Sequence, residues 1–288
     1  MITILTPTYN RKHTLPELYK SLINQTSYDF EWLIIDDGSI DNTESLIKNY
    51  QKSTPFNIQY IKKPNGGKCS ALNIGIKSAS YDWIFIMDSD DTVIFDAIEK
   101  INKLILNDID ESIGSIFCLA KIENKKNKFF DIVGKSRFCD WVKTGNLFDT
   151  APLIRKSIAI NYPFPLYENE KYMAESWLSL QIDRTHFSYF LNQFIMNAEY
   201  QPDGLSTQSL KLRCEAPINA MKVYGDFLSS NIGLNMKSRY AINYWRFYFH
   251  AKLKYKKIKT NNKFIKYLLF YPFGYIFFII DNKKNIIN

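Results

Sequence analysis

Four short apolar runs, at residues 2–5, 30–35, 58–61 and 83–87, are separated by stretches with the three-to-four spacing of amphipathic helices. Runs this short and this apolar are the pattern of parallel strands covered on both faces. Between them, Thr14-Leu15-Pro16-Glu17 fits a capping box with Pro in the first turn and predicts a helix to about Asn24. Asp41-Asn42-Thr43-Glu44 opens a second helix by the same logic, broken near Ser53-Thr54-Pro55, and a third is predicted over 70–78. Strand and helix alternate through all four runs, which predicts an α/β fold with a mostly parallel sheet flanked by helices.

Beyond residue 96 the pattern predicts a helix to about Asn107 and strands over 114–119 and 128–133. Residues 141–166 are aromatic, loop-rich and scattered with prolines. Further strands or a buried connection follow at 187–190 and 194–198, and residues 200–206 carry a turn signal. From about Ser209 the chain becomes helical, basic and aromatic. Tyr240, Tyr244, Trp245, Phe247, Tyr248, Phe249 and Tyr255 interleave there with Arg239, Arg246, Lys252, Lys254, Lys256 and Lys257. Residues 267–280 form a run of fourteen without a charge, broken by Pro272 and Gly274. A membrane-spanning helix needs about 20 residues, so this run fits an interfacial or re-entrant segment better, with a helix packed on the catalytic domain as the alternative. The chain thus divides into 1–206, itself made of halves 1–100 and 101–206, and a helical region 207–288.

Three polar loops, 6–10, 36–39 and 88–91, end strands on one edge of the predicted sheet, where open α/β sheets bind ligands. In the last of them, Asp88 and Asp90 are two apart. In an extended segment they point the same way and can face one cation or one phosphate-bearing ligand. The bland alternative is that Asp91 or Thr92 merely opens the next helix. Gly66-Gly67-Lys68-Cys69-Ser70 has the outline of a Walker A loop, but Cys69 and Lys62 break it and exclude a P-loop nucleotidase. A Gly-Gly-Lys turn before a helix can still present N–H groups and one cation to a diphosphate; its plain reading is a helix-start turn with a solvated lysine. No GxGxxG follows any strand, which disfavours a dinucleotide enzyme. Residues 167–177 offer Glu168, Glu170 and Glu175 for acid–base work. Their plain reading is an amphipathic helix that buries Trp177 and Leu178.

Charge and cysteines narrow the partners. Residues 237–266 hold ten Lys and Arg and no Asp or Glu, more than the whole net charge of +8, so the basicity is one local patch. It suits an anionic membrane surface; nucleic acid is the less favoured partner. Cys69, Cys118, Cys139 and Cys214 form no CxxC pair, and no secretion signal opens the chain. A cytoplasmic protein with reduced thiols is expected.

TPTYNR at 6–11, IIDDGSIDNT at 34–43, NGGKCSALNIGI at 65–76 and DSDD at 88–91, in this order and spacing, resemble family 2 nucleotide-sugar glycosyltransferases of the GT-A, Rossmann-like fold. NEKYMAESW at 169–177 and PDGLS at 202–206 are similar to members that build bacterial polysaccharides. The resemblance implies an inverting transferase that moves a sugar from a UDP-sugar to a glycan or polyprenyl-linked glycan of a capsule or O-antigen type. It places uridine against Thr6, Pro7, Tyr9 and Asp37, ribose against Asp88, and Mn²⁺ or Mg²⁺ on Asp90 of the DXD motif, with Asp88 as a second ligand. Lys68 would assist at the diphosphate. The acidic pair that supplies the base in the family is Glu175-Ser176 here, which leaves Glu175 as the base and Glu170 as the fallback. Lipid-linked acceptors imply a peripheral position on the inner face of the cell membrane. A non-catalytic nucleotide-sugar-binding scaffold and a metal-dependent nucleotidyltransferase remain as alternatives.

Overall fold

The computed structural model describes residues 1–283 apart from 124, 168, 200, 202, 203, 205, 256, 257 and 259–261. Strand β1 (Ile2–Thr8), helix α1 (Leu15–Ile23), β2 (Phe30–Asp36), α2 (Thr43–Tyr50), β3 (Asn57–Lys62), α3 (Lys68–Ser78) and β4 (Trp83–Ile86) follow one another as the pattern predicts. They form the parallel half of the sheet in the order β3-β2-β1-β4. Neighbouring positions point to opposite faces, so Leu5, Leu33 and Ile84 pack on Leu72 and Ile76 of α3. Ile4, Trp32, Ile34 and Phe85 pack on Leu15, Leu18 and Leu22 of α1 on the other side. Each such side chain removed from water contributes about 1.5–3 kcal/mol. The pairing of β1 with β2 stays in register as far as Thr8 opposite Asp36. Thr6 and Pro7 therefore stand inside the strand, not in the loop after it.

The chain continues through β5 (Thr92–Val93), α4 (Ala97–Asn107), β6 (Ile113–Ile122), β7 (Gly134–Ser136), α5 (Phe138–Thr144), β8 (Thr150–Arg155), α6 (Lys156–Ala159), α7 (Ser176–Ile182) and β9 (Phe187–Ala198). The sheet extends from β4 through β8, β6 and β9 to β5, with β7 on β9. Antiparallel β8 lies within the stretch expected to be loop. Pro152 hides it, yet the ladder to β4 spans only residues 153–155, so Pro152 lies beyond it. The strand expected at 128–133 is absent. Phe130 instead packs into an aromatic cluster with Trp141, Phe148 and Phe190, and the short strand begins at Gly134. β9 is continuous where two pieces were expected; register shifts against β6 absorb the interruption.

Helices α8 (Ser209–Glu215), α9 (Pro217–Leu228) and α10 (Leu234–Lys254), a 3-10 helix (Asn262–Phe270) and α11 (Tyr271–Lys283) complete the fold. Val223 and Phe227 of α9 and Met236 of α10 join the core of the sheet. The carboxylate of Glu170 accepts the N–H groups of Ile218 at 3.0 Å and Asn219 at 2.7 Å, and so caps α9 from outside. Half of the aromatic residues of α10 are core: Tyr244, Trp245 and Phe247 are buried between helices. The four cysteines are buried thiols. The helical stretch Lys263–Lys283 runs 21 residues and is, by length and composition alone, long enough to cross a membrane. The shorter uncharged run understated it, because helix takes in Lys266 and Lys263 at one end and reaches Lys283 at the other.

Candidate active site

Asp37 ties three loops into one floor. Its N–H donates to Thr8 at 2.8 Å, while Asn10 donates to Ser39 Oγ at 2.8 Å and accepts from Ile40 N–H at 2.9 Å. Its buried carboxylate accepts from Gly66 N–H at 2.9 Å, Gly67 N–H at 2.7 Å and Asn65 Nδ2 at 3.0 Å, and pairs with Lys63. The turn so held passes under residues 171–173. Gly67 has φ +88°, and a Cβ there would lie 2.1 Å from the carbonyl oxygen of Lys171. Lys171 Nζ donates to Asn65 Oδ1 at 2.6 Å, and Cys69 Sγ donates to the Met173 carbonyl at 3.3 Å.

This crossing carries the end of the segment, Glu175, over the first turn of α3. Lys68 Nζ lies 2.5 Å from Asp88 Oδ1 and 2.5 Å from Glu175 Oε1. The lysine is largely buried, and both carboxylates are partly open to solvent. Burial alone would lower the affinity of Lys68 for its proton, but the charges of Asp88 and Glu175 raise it. Burial raises the pKa of Glu175; Lys68 opposes that shift and Asp88 adds to it.

Strand β4 ends at Ile86, and Met87 N–H closes on Leu5 O at 3.0 Å. Residues after it turn, with Asp91 N–H on Asp88 O at 3.3 Å, so Asp88 and Asp90 do not lie on one face of an extended segment. Asp91 does not open a helix either. Its carboxylate accepts Glu199 N–H at 3.0 Å, and α4 begins only after β5. Burial and the charge of Asp88 raise the pKa of Asp90, against Arg11 and Lys68. The same two causes push Asp91 up to about 8. Such crowding of hard oxygen donors suits a divalent cation of the Mg²⁺ or Mn²⁺ class, and Asp88 and Asp90 are the residues that could hold it.

The fold brings Asp37, Lys68, Asp88, Asp90 and Glu175 to this edge. Thr6 is fully buried and its hydroxyl accepts the Trp32 indole N–H at 3.0 Å. Pro7 is buried beside it, whereas Tyr9 is exposed at the loop. Glu170 is spent on α9 and also accepts the Tyr255 hydroxyl at 3.0 Å, which removes it as an alternative base. Glu168 lies outside the described residues, as do Pro202, Asp203 and Leu205 of the PDGLS turn. Sequence reading missed Lys63, Asn65 and Lys171 as the fasteners of the Gly-Gly turn. It also passed over Arg11, whose charge reaches Asp90. The lysine and asparagine flanking Pro64 were the visible signal for the first two. The segment that carries Glu175 also borders a pocket of about 120 Å³, lined by its neighbours Ala174 and Ser176 with Tyr172, Arg213, Tyr224 and Tyr240; Glu175 itself is not in the lining.

Residues 3–150 match the family described as Glycosyl transferase family 2. A GalNAc(5)-diNAcBac-PP-undecaprenol beta-1,3-glucosyltransferase of Campylobacter jejuni is 26% identical over 244 residues, covering 79% of this chain and 72% of the relative. The chain spans only 23% and 36% of the length of two other curated relatives, 37% and 38% identical over 147 and 108 residues. The crystal structure of S. aureus TarS 1-349 in complex with UDP-GlcNAc superposes with TM-score 0.66 at 15% identity, covering 96% of this chain and 80% of that one. The mannosyltransferase PcManGT from Pyrobaculum calidifontis, in complex with GDP-Man and Mn²⁺, gives TM-score 0.62 at 12% identity, covering 98% and 86%. At these identities the two structures are evidence of a shared fold alone.

Proposed function

The chain belongs to glycosyl transferase family 2, and from that premise we propose an inverting, metal-dependent transferase that moves a sugar from a UDP-sugar to a hydroxyl of a lipid-linked or growing bacterial surface glycan. The observation that carries the reading is Lys68, held at 2.5 Å from both Asp88 on the donor side and Glu175 on the acceptor side. One largely buried cation shared by two carboxylates supports this reading, because a donor diphosphate that draws Lys68 away would leave Glu175 free to act as a base.

In this reading the Asp37 floor and the exposed Tyr9 ring receive the uridine, with Thr6 and Pro7 backing the floor from within the strand. Asp88 faces the ribose and Lys68 the diphosphate. Glu175 accepts the proton of the acceptor hydroxyl as that oxygen bonds to the anomeric carbon. The bond from that carbon to the diphosphate oxygen breaks with its electron pair going to the leaving group, and attack from the opposite side inverts the centre. A positioned base is worth about 10²–10⁴ in rate. Mn²⁺ or Mg²⁺ held by Asp90 with Asp88 would supply Lewis-acid relief for the charge on the leaving diphosphate.

The UDP-GlcNAc named with TarS supports a uridine donor, and the undecaprenol in the name of the Campylobacter relative supports a lipid-linked acceptor. In this reading the protein works in the cytoplasm, attached peripherally to the inner face of the cell membrane, where an acceptor of that kind would be met. The test is to incubate the full chain with UDP-GlcNAc and Mn²⁺ and identify the products. Slow release of UDP that Asp90→Asn abolishes supports the reading. Unchanged release in that variant removes the metal role, pyrophosphate in place of UDP indicates nucleotidyl transfer, and binding without turnover across UDP-sugars indicates a scaffold.

A further inference from the structure

The last 21 described residues have two unlike sides. On one side Gly274, Phe278 and Asp281, spaced by four and three, face α10. A Cβ on Gly274 would lie 2.5 Å from Trp245 Cβ, so the two helices are in direct backbone contact there. Phe278 packs against Phe249 and His250 with ring centroids 5.7 and 4.9 Å apart. Asp281, 1% exposed, accepts from Arg246 Nε at 2.6 Å and meets His250 Nε2 at 2.9 Å. On the other side Leu269, Phe273, Ile276, Phe277 and Ile280, at helical spacing, are 38–77% exposed. Ile265 and Leu268 extend the same stripe into the 3-10 helix. A water-soluble surface rarely leaves so many large apolar side chains in one stripe.

The charges around the stripe are of one sign. Lys263, Lys266 and Lys283 are exposed at its ends, and the single acid of the stretch, Asp281, is turned inward. Arg246 answers its charge there. Donor atoms of Cys214, His250 and Asp281 come within 4.8 Å of one another, but with both Asp281 oxygens bound to Arg246 the cluster reads as a charge lock. Its effect is to remove the only negative charge from a face that is otherwise apolar and basic.

We propose that the outer side of Lys263–Lys283 docks in the plane of an anionic lipid surface, with the apolar stripe in the acyl boundary and the lysines at the headgroups. The occupant follows from charge complementarity, since lysines flanking an apolar face match anionic headgroups. Lying in the plane keeps Gly274 on Trp245 and Asp281 on Arg246. Spanning would strip α11 from α10 and carry that ion pair into hydrocarbon. The proposal deepens the membrane attachment given above and rests on that part of the reading, not on the chemistry of transfer.

Flotation of the full chain with phosphatidylcholine vesicles, with and without about a third phosphatidylglycerol, tests it. The parent should float with the anionic vesicles and lose most binding in high salt. Leu269→Glu/Phe273→Glu/Ile276→Glu should lower flotation about tenfold or more while leaving release of UDP from soluble UDP-sugar unchanged. Lys263→Glu/Lys266→Glu should lose the preference for anionic vesicles. Equal flotation of parent and triple variant overturns the proposal. So does a parent that stays unbound and sediments as a dimer which the triple variant dissociates, since the face would then belong to a second copy of the chain.

Discussion

The ammonium of Lys68 and the carboxylate of Glu175, far apart in the sequence, meet at 2.5 Å, and Asp88 meets the same nitrogen at the same distance. A base in an ion pair is a weak base, so transfer requires Lys68 to find another anion. The donor diphosphate is the anion this reading brings.

Replacing Lys68 by Met removes that cation and leaves two carboxylates facing each other. Transfer should fall roughly 10²-fold or more, the scale of losing one charge-stabilising donor at a reacting phosphate. Lys68→Arg should restore part of it, because the charge returns with a different reach. Steady-state kinetics with a fixed acceptor, alongside calorimetric UDP binding, separates the loss of rate from a loss of affinity.

Glu175→Gln should reduce transfer about 10²–10⁴-fold and keep UDP binding. In the parent, burial and Asp88 hold the pKa of Glu175 above the ordinary 4.5 against the opposing pull of Lys68. The acid limb of kcat/KM should therefore lie above pH 4.5, with the rate rising as Glu175 loses its proton. Without Lys68 that limb should move further up, since the charge that favours the carboxylate is gone. A downward move would contradict the assignment.

Gly67→Ala places a methyl group against the Lys171 carbonyl in a backbone that side chains rarely adopt. A loss of roughly 1–3 kcal/mol is expected from the strain, seen as a lowered Tm. UDP affinity should fall with it, because the Asp37 floor includes this turn.

Asp281 gives a pH-dependent stability of definite sign. Burial would raise its pKa, but His250 and Arg246 together bring it below 3.8. Its contribution is therefore complete above pH 3.8 and is lost as pH falls through the folded value beneath it. Asp281→Asn should cost roughly 3–5 kcal/mol at pH 7, leaving Arg246 without its partner, and should flatten the acid loss. Chemical denaturation at pH 7 and near pH 3 measures both.

Much of this was legible because β1, β2 and β4 are covered on both faces, which writes each of them as an apolar run ending in a polar loop. Lys68 and Glu175 were legible as residue types in suggestive places. Their contact was not, since it depends on Gly67 passing under Lys171, a meeting that no local pattern records. β8 was masked by Pro152, whose position past the end of one ladder is a fact of pairing. Glu170 looked like chemistry and Asp91 like a helix opener because a carboxylate in the sequence does not reveal which N–H groups the fold will bring to it. For Glu170 those belong to Ile218 and Asn219, for Asp91 to Glu199.

The cap that Glu170 places on α9 bears on how this protein can be divided. Five positions separate that carboxylate from Glu175. A graft or truncation ending at residue 206 would strand a buried charge without its donors and slacken the backbone that carries the base. A transplantable unit must therefore include α9, and chimeras joined before and after α9 should differ in turnover far more than in nucleotide binding.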